Sequence, residues 1–214
     1  MLTVQPFTFN PVQENTYVLY NEKGDCGIID PGCYFASEET ALKDFLSQNK
    51  LKPALLINTH CHLDHIFGNR FVHQTYGLTL HLHSLEKAVL EHGPASAQLW
   101  GLSFVNYDGE MVFIDEGQTL RIGDDELQIL FTPGHSPGSL SFYSAANKFV
   151  ISGDVLFEKS VGRTDLPGGD FKILEESIKT KLYTLPPDTV VYPGHGNSTT
   201  IGDEIKGNPF VKMI

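Results

Sequence analysis

Three histidines and one aspartate lie within six consecutive residues, His60-Cys61-His62-Leu63-Asp64-His65, directly after the apolar run 54–57. Neutral imidazole and carboxylate are good ligands for zinc, and imidazole also suits iron. In an extended backbone the side chains of His60 and His62 point the same way and can converge on one ion. Asp64 and His65 then reach elsewhere as the chain turns into the next helix. The segment therefore predicts a metal site at the end of a strand.

A competing interpretation makes Asp64 the cap of the following helix and leaves the histidines as incidental surface residues. A lone histidine would favour that interpretation. Catalytic metal sites need several nitrogen and oxygen ligands together, so a cluster of four favours metal binding.

Three later segments share one pattern, an apolar strand that ends in a glycine-bearing turn with one ligand-type residue. Glycine beside a ligand lets the backbone approach a metal closely, and strand ends are common positions for active residues. Each segment alone is a weak signal, because Pro-Gly-His is also an ordinary turn. The ligand-type residues of these segments are His135, Asp154 and His195. With the first cluster they supply seven ligands, enough for two metal ions that share one carboxylate.

The elements that must position these residues alternate between strand and helix patterns. Period-two alternation and short apolar runs predict strands, and apolar residues at helical spacing predict helices. The predicted strands are 2–9, 16–20, 27–29, 54–57, 78–82, 120–122, 127–131, 139–143, 149–152 and 189–192. The predicted helices are 40–48 with Ser37 as cap, 68–76, 84–92, 96–100 and 171–183. The run 54–57 is apolar at every position, which is typical of a strand buried on both faces. The sequence predicts one mixed α/β domain over residues 1–214, with helices outside two packed sheets.

Composition excludes several classes of function. The net charge is −11 and no stripe of lysine or arginine occurs, which argues against nucleic acid and against anionic membrane surfaces. No apolar run is long enough to cross a bilayer, and the first residues do not resemble a secretory signal. The three cysteines, Cys26, Cys33 and Cys61, predict reduced thiols and a cytoplasmic location.

The ordered set His60, His62, Asp64, His65, His135, Asp154 and His195 resembles the signature of the metallo-β-lactamase superfamily. The resemblance covers nearly the whole chain and includes the early turn Asp30-Pro31-Gly32. It implies an αβ/βα four-layer sandwich with metals along one edge of the sheets. It also implies that His60, His62 and His135 bind one metal, that Asp64, His65 and His195 bind the other, and that Asp154 bridges. By this resemblance Asp64 and Asp154 are the catalytic carboxylates.

The resemblance implies two divalent ions, zinc first, with iron and manganese as the alternatives. By the same resemblance, a hydroxide held at this site would attack the carbonyl of a small-molecule substrate. A non-catalytic protein that keeps metal only for structure is disfavoured, since structural zinc sites are closed sets of four ligands that are rich in cysteine.

Two branches of the superfamily are the main alternatives. The segments 153–157, 161–165, 192–196 and 208–210 resemble the short glyoxalase II-like hydrolases, which cleave thioesters such as S-lactoylglutathione. The segments 58–62 and 162–165 also resemble the persulfide dioxygenases, in which His60, His135 and Asp154 would hold a single iron. Persulfide dioxygenases usually read Pro-Ala-His-Asp-Tyr where this chain has Pro193-Gly194-His195-Gly196-Asn197, so the sequence favours the hydrolase. A lactonase is a further alternative. A true β-lactamase is disfavoured, because such enzymes usually have cysteine or serine in place of Asp154 and are exported.

Arg163 is the candidate substrate-binding residue, since a guanidinium group suits a substrate carboxylate. An ion pair with Asp165 is the equal alternative. Only residues 196–214 follow His195, so the C-terminal helical domain of the larger glyoxalase II enzymes is not expected, and glutathione itself is in doubt as the thiol carrier. The pair His81 and His83 lacks a nearby carboxylate and predicts surface or capping roles. Cys61 should point away from its histidine neighbours and not bind metal.

Overall fold

The structure is a computed structural model that describes residues 1–213. The chain forms two compact units. The first consists of Met1–Ile114 and Arg121–Glu126, and the second of Asp115–Leu120 and Leu127–Ile214. The prediction that residues 1–214 make a single domain stays a prediction. No helix in the part of the chain that the structure describes is long and apolar enough to span a membrane.

The first unit contains a six-stranded mixed sheet. Its strands are β1 (Thr3–Phe9), β2 (Glu14–Tyr20), β3 (Asp25–Ile29), β4 (Lys52–Ile57), β5 (Leu80–Leu82) and β6 (Met111–Phe113), which follow one another in this order across the sheet. The pairs β1–β2 and β2–β3 are antiparallel, and the pairs from β3 to β6 are parallel. Because parallel strands end at the same edge, the loops after β3, β4 and β5 emerge side by side.

Four helices and a 3₁₀ turn connect these strands. They are α1 (Ala36–Gln48), α2 (Leu63–Ile66), α3 (Asn69–Tyr76), the 3₁₀ turn Ser84–Glu86 and α4 (Lys87–Leu99). Helix α1 buries Leu42 and Leu46 against a core that includes Ile28, Leu56 and Leu80. This packing of amphipathic faces on the sheet stabilises the unit more than helix propensity does.

The second unit contains most of another six-stranded sheet and a small hairpin. The sheet order is β14-β13-β10-β9-β8-β7. Its strands are β7 (Thr119–Ile122), β8 (Asp125–Phe131), β9 (Leu140–Ser144), β10 (Phe149–Gly153), β13 (Val190–Pro193) and β14 (Thr199–Thr200), and the hairpin pairs β11 (Leu156–Phe157) with β12 (Ser160–Val161). Strands β9 and β10 are buried at every position, and Ser141, Ser144 and Ser152 are buried among their apolar residues.

Two helices belong to this unit. They are α5 (Phe171–Ser177), which continues as a π-helical turn over Ile178–Leu182, and α6 (Ile201–Gly207). Leu174, Ile178 and Leu182 are fully buried in a core shared with Val150 and Val191. The spacing that predicted a helix over 171–183 is confirmed, and the π turn lies within it.

Several local predictions were wrong in detail. The two predicted helices at 84–92 and 96–100 are one helix, α4, which runs through Pro94 because its buried face continues from Leu90 to Ala97. Ser37 does not cap α1; the Glu38 carboxylate instead accepts the backbone N–H of Tyr34 at 2.7 Å. Strand β4 is buried only at its end, and Lys52 and Ala54 are exposed. The sequence did not predict β6, the β11–β12 hairpin, β14 or α6.

Candidate metal centre

The first group of candidate ligands lies in the loop that follows β4 and in helix α2. The rings of His60 and His62 have centroids 4.8 Å apart, and those of His60 and His65 are 4.1 Å apart. His60 and His65 are fully buried, and Asp64 is 8% exposed. One carboxylate oxygen of Asp64 lies 3.4 Å from Nε2 of His65. Four of the seven predicted ligands are thus close together in the first unit.

Asp30 fixes the orientation of His65. Its Oδ2 atom lies 3.1 Å from Nδ1 of His65. A metal-binding histidine usually donates its other ring N–H to a carboxylate or carbonyl, which sets the tautomer and the ring orientation. With the proton held on Nδ1, the Nε2 lone pair of His65 is the one available to a metal. Asp30, which the sequence marked only as part of an early turn, therefore supports a ligand.

Thr59 fixes the orientation of His60 in a similar way. Its hydroxyl donates to Oδ2 of Asp30, and Nδ1 of His60 lies 3.0 Å from the same hydroxyl oxygen. A hydroxyl has one proton, so once it donates to Asp30 it accepts from the imidazole. The proton of His60 is then held on Nδ1, and Nε2 is the candidate ligand atom. Asp30 controls two histidines, one directly and one through Thr59.

The backbone at Asp30 has an uncommon conformation. Its φ angle is +48°, in the left-handed region that aspartate tolerates better than most residues. The backbone N–H of Asp30 donates to Ile57 at 2.9 Å, and Oδ1 accepts from the backbone N–H of Thr59 at 2.7 Å. The side chain of Asn58 donates to the same Oδ1 atom at 3.2 Å. These bonds hold the carboxylate in place beneath the loop.

Glu14 is a second buried carboxyl group in this region. It is fully buried at the start of β2, and its Oε1 lies 3.8 Å from Nδ1 of His65. Burial raises the pKa of Glu14 well above its usual value, while nearby His65 works in the opposite direction. The hydroxyl of Thr16 donates to Oε2 at 3.0 Å. The backbone at Gly32 approaches so closely that a Cβ there would lie 2.0 Å from Oε2. Only glycine fits at that position.

The second group consists of His135, Asp154 and His195, from three loops of the second unit. One oxygen of Asp154, Oδ2, lies 3.5 Å from Nε2 of His135 and 3.6 Å from Nε2 of His195. His135 and Asp154 are buried, and the side chain of His195 is 27% exposed. A single carboxylate oxygen therefore faces two imidazole nitrogens.

The loop that contains Arg163 holds His135. The Nδ1 atom of His135 lies 2.7 Å from the backbone oxygen of Arg163, so the proton is on Nδ1 and Nε2 faces Asp154. The Arg163 side chain makes a two-pronged ion pair with Asp165, with both N–O distances at 2.7 Å. Both side chains are largely exposed. The guanidinium group of Arg163 lowers the pKa of Asp165 to about 2, chiefly through their hydrogen bonds.

Three residues that the sequence placed outside the centre, His81, His83 and Cys61, have contacts of their own. His83 accepts the backbone N–H of Leu85 at 3.2 Å and so caps the 3₁₀ turn, and Nδ1 of His81 lies 3.2 Å from the backbone oxygen of Leu56. Cys61 is buried in the apolar core of the first unit, and burial raises the pKa of its thiol well above the usual value.

The donor set fits divalent metals. In the first unit, one carboxylate oxygen of Asp64 lies 3.4 Å from the Nε2 atom of His65, so both groups can reach one ion. Three histidines, His60, His65 and His135, have Nδ1 beside an oxygen that can accept its proton, as metal-binding histidines usually do. Imidazole and carboxylate donors without cysteine suit zinc, iron and manganese.

Comparison with known proteins identifies the family. The profile of the family described as the metallo-beta-lactamase superfamily matches residues 9–195. The chain belongs to this superfamily. A probable metallo-hydrolase of Bacillus subtilis, YqgX, is 38% identical, with 94% of this chain and 93% of the relative covered. The hydroxyacylglutathione hydrolase GloC of Haemophilus influenzae is 35% identical, with 93% of each chain covered.

Solved structures of the superfamily share the fold. The BLEG-1 B3 metallo-beta-lactamase superposes with a TM-score of 0.91 at 38% identity, covering 99% of this chain and 100% of the other. TTHA1623 in a di-iron-bound form gives 0.87 at 39% identity, covering 97% and 100%. ETHE1 from Myxococcus xanthus gives 0.78 at 25% identity, covering 97% and 83%. The predicted metallo-β-lactamase fold is confirmed. Members of this superfamily of metallo-hydrolases typically bind divalent metals, and TTHA1623 binds iron.

Proposed function

We propose that this protein is a glyoxalase II-like, metal-dependent thioesterase that cleaves S-acyl-thiols such as S-lactoylglutathione. The observation that carries the proposal is the position of Asp154, whose Oδ2 lies 3.5 Å and 3.6 Å from the imidazoles of His135 and His195. A carboxylate that faces two ligand-type nitrogens with one oxygen is suited to bridge two ions. Bridged pairs of ions are a recurring device of hydrolases.

The proposed ligand set is the one that the superfamily signature implies. His60, His62 and His135 hold one ion. Asp64, His65 and His195 hold the other, and Asp154 is shared. Zinc is the first choice, and iron and manganese are the alternatives, since availability often decides which metal fills a histidine and aspartate site.

Two divalent ions at such a site lower the pKa of a water molecule toward neutrality and polarise a carbonyl group. The residues of the chain prepare the site for this chemistry. Asp30 and the backbone oxygen of Arg163 accept the Nδ1 protons of His65 and His135, which leaves Nε2 of each ring for a metal. The carboxylates of Asp64 and Asp154 balance the positive charge.

The substrate proposal rests on similarity to GloC and on Arg163. GloC is described as a hydroxyacylglutathione hydrolase, and it aligns with 93% of this chain. The Arg163 side chain is 61% exposed, so its guanidinium can meet a carboxylate of the thiol carrier once it exchanges Asp165 for that partner. We propose a small thioester with a carboxylate on the thiol side, and no nucleic acid or membrane partner.

A mononuclear iron persulfide dioxygenase is the second candidate. The Asn58-Thr59-His60-Cys61-His62 segment, which resembles those enzymes, favours it. In that case His60, His135 and Asp154 would be the iron ligands. The segment Gly194-His195-Gly196, with His195 beside Asp154, favours the hydrolase instead.

The test is elemental analysis of the purified protein together with an S-lactoylglutathione hydrolysis assay on the same sample. About two metal ions per chain with thioester cleavage would support the proposal. A single iron, no cleavage and oxygen uptake with glutathione persulfide would establish the second candidate. A β-lactam substrate belongs in the same assay, because BLEG-1 is described as a B3 metallo-beta-lactamase. Cleavage of the β-lactam but not of the thioester would overturn the substrate proposal.

A further inference from the structure

Three backbone N–H groups show how the loop after β4 is held. The N–H of Asn58 donates to the backbone oxygen of His81 at 2.9 Å, which is the last contact of the sheet type. The N–H of Thr59 donates to Asp30 at 2.7 Å. The N–H of Cys61 donates to Oε2 of Glu86, also at 2.7 Å. Beyond the last sheet hydrogen bond, two carboxylates, those of Asp30 and Glu86, therefore accept the backbone N–H groups of the loop.

These two carboxylates lie in the segments that follow the two strands on either side of β4. Asp30 directly follows β3, and Glu86 follows β5 at the end of the 3₁₀ turn. The sheet order β3-β4-β5 brings both to the loop that leaves β4 between them. The loop that contains His60 and His62 is thus held at the residue before His60 and at the residue between the two histidines.

Glu86 is fully buried, although it carries an ionisable group. Leu82 and Leu90, four residues before and after it, belong to the apolar core of the first unit. Burial of a carboxylate is costly unless hydrogen bonds compensate, so apolar packing alone would not favour glutamate here. A hydrogen bond from a backbone N–H to a carboxylate is shorter and roughly twice as strong as one between neutral groups. The bond that Oε2 of Glu86 accepts from the N–H of Cys61, at 2.7 Å, provides such compensation.

We infer that Glu86 is a positioning residue for the metal centre. Its carboxylate fixes the backbone at Cys61, keeps the thiol in the apolar core and holds His60 and His62 on the same side of the loop. Without this contact the backbone between the two histidines can rotate. The rings of His60 and His62 are then no longer held in positions from which both can bind the same ion. This inference rests on the proposed metal centre and names a residue that does not itself bind metal.

The experiment measures Co²⁺ binding by apoprotein, by titration against a competing chelator and by the visible absorption of the bound ion. Glu86→Ala removes the acceptor, and Glu86→Gln keeps an acceptor oxygen of the same reach without the charge. Leu90→Ala is the matched control, since Leu90 is 2% exposed in the same core but belongs to no loop hydrogen bond in the described contacts. It lowers stability by leaving a cavity. Thermal unfolding of every apoprotein accompanies the titration.

Glu86→Ala should weaken Co²⁺ binding by about 10–100-fold and change the visible spectrum, as loss of a residue that orients a ligand usually does. Glu86→Gln should restore most of the affinity, and Leu90→Ala should keep the parent affinity and spectrum. Parent-like binding by folded Glu86→Ala would overturn the inference. An equal loss in Leu90→Ala at matched stability would also overturn it. If Glu86→Ala does not fold, Glu86→Asp replaces it, because its carboxylate is one methylene group short of Cys61.

Failure of the proposed function gives a different result. A parent protein that binds Co²⁺ but does not cleave S-lactoylglutathione overturns the substrate proposal and leaves the role of Glu86 measurable by affinity and spectrum. A parent protein that binds no Co²⁺ overturns both.

Discussion

The Nδ1 atom of His135 lies 2.7 Å from the backbone oxygen of Arg163, while the side chain of Arg163 is paired with Asp165. The two parts of Arg163 therefore have separate roles. The backbone orients a candidate metal ligand and does not depend on the residue type. The guanidinium group is exposed and is the part that can meet a substrate.

Arg163→Ala should raise KM for a thioester by about tenfold with little change in kcat, because it removes binding that is equal in ground state and transition state. Metal content should not change, since the backbone oxygen that accepts from His135 remains. Steady-state kinetics and elemental analysis test both statements. Asp165→Ala is the control; it frees the guanidinium and should leave KM unchanged or lower. Unchanged kinetics in Arg163→Ala would show that the Arg163 side chain does not bind substrate and serves only the ion pair with Asp165.

The ion pair itself predicts an acid titration. The pKa of Asp165 is lowered to about 2 because its carboxylate accepts from Arg163. A carboxyl group with a lowered pKa stabilises the folded state above its unfolded pKa, and this contribution is lost as the pH falls through the folded value. The ¹³C chemical shift of the Asp165 carboxyl should titrate near pH 2 and move upward in Arg163→Ala. A midpoint near 4 in the parent protein would show that the pair does not persist in solution.

The candidate ligands could be predicted from the sequence because each lies in a recognisable local motif. His60, His62, Asp64 and His65 stand together, and the other three follow strands in glycine-bearing turns. The residues that orient these ligands do not lie in such a motif. Asp30 and Glu86 reach the loop after β4 only because β3 and β5 are its neighbours in the sheet. Strand order is a long-range property that local periodicity does not contain.

Helix α4 shows a similar limit in the fold. Pro94 removes a backbone N–H and predicts a break, yet the helix continues because Leu90, Gly93 and Ala97 share one buried face. Tertiary packing outweighs the local preference. The short strands β11, β12 and β14 have two residues each, too few for a period to be visible in the sequence.

Asp154→Asn should reduce thioester hydrolysis by more than about a hundredfold, a larger loss than is usual for residues that only support ligands. The amide keeps the shape but lacks the charge that faces His135 and His195. The far-UV circular dichroism spectrum should not change, and metal per chain should fall. His81→Ala is the matched control, because His81 lies outside the proposed centre and should retain activity and metal content. Full activity in a metal-verified Asp154→Asn protein would contradict the bridging role.

All three cysteines should resist alkylation in the native protein. Cys26, Cys33 and Cys61 are each at most 2% exposed, and burial raises the pKa of Cys26 to about 12 and those of the other two as well. The thiolate is the reactive form, so little of it exists at pH 8. Ellman's reagent should detect no thiol before unfolding and all three in denaturant. Rapid labelling of a native thiol after chelation would show that metal removal opens the loop at Cys61.

Gly162→Ala should damage the centre, whereas Gly207→Ala should not. A Cβ at Gly162 would lie 1.9 Å from the backbone oxygen of Asp154 and 3.0 Å from Nδ1 of His135. The clash is with backbone, so the hairpin that leads to Arg163 has to move, at a cost of about 1–3 kcal/mol. A Cβ at Gly207, in α6, meets nothing within 4 Å, and alanine there should be neutral or stabilising by up to about 1 kcal/mol. Chemical denaturation and metal content measure both variants. Equal stability and equal metal content in the two would mean that the contact between residue 162 and Asp154 does not hold the site together.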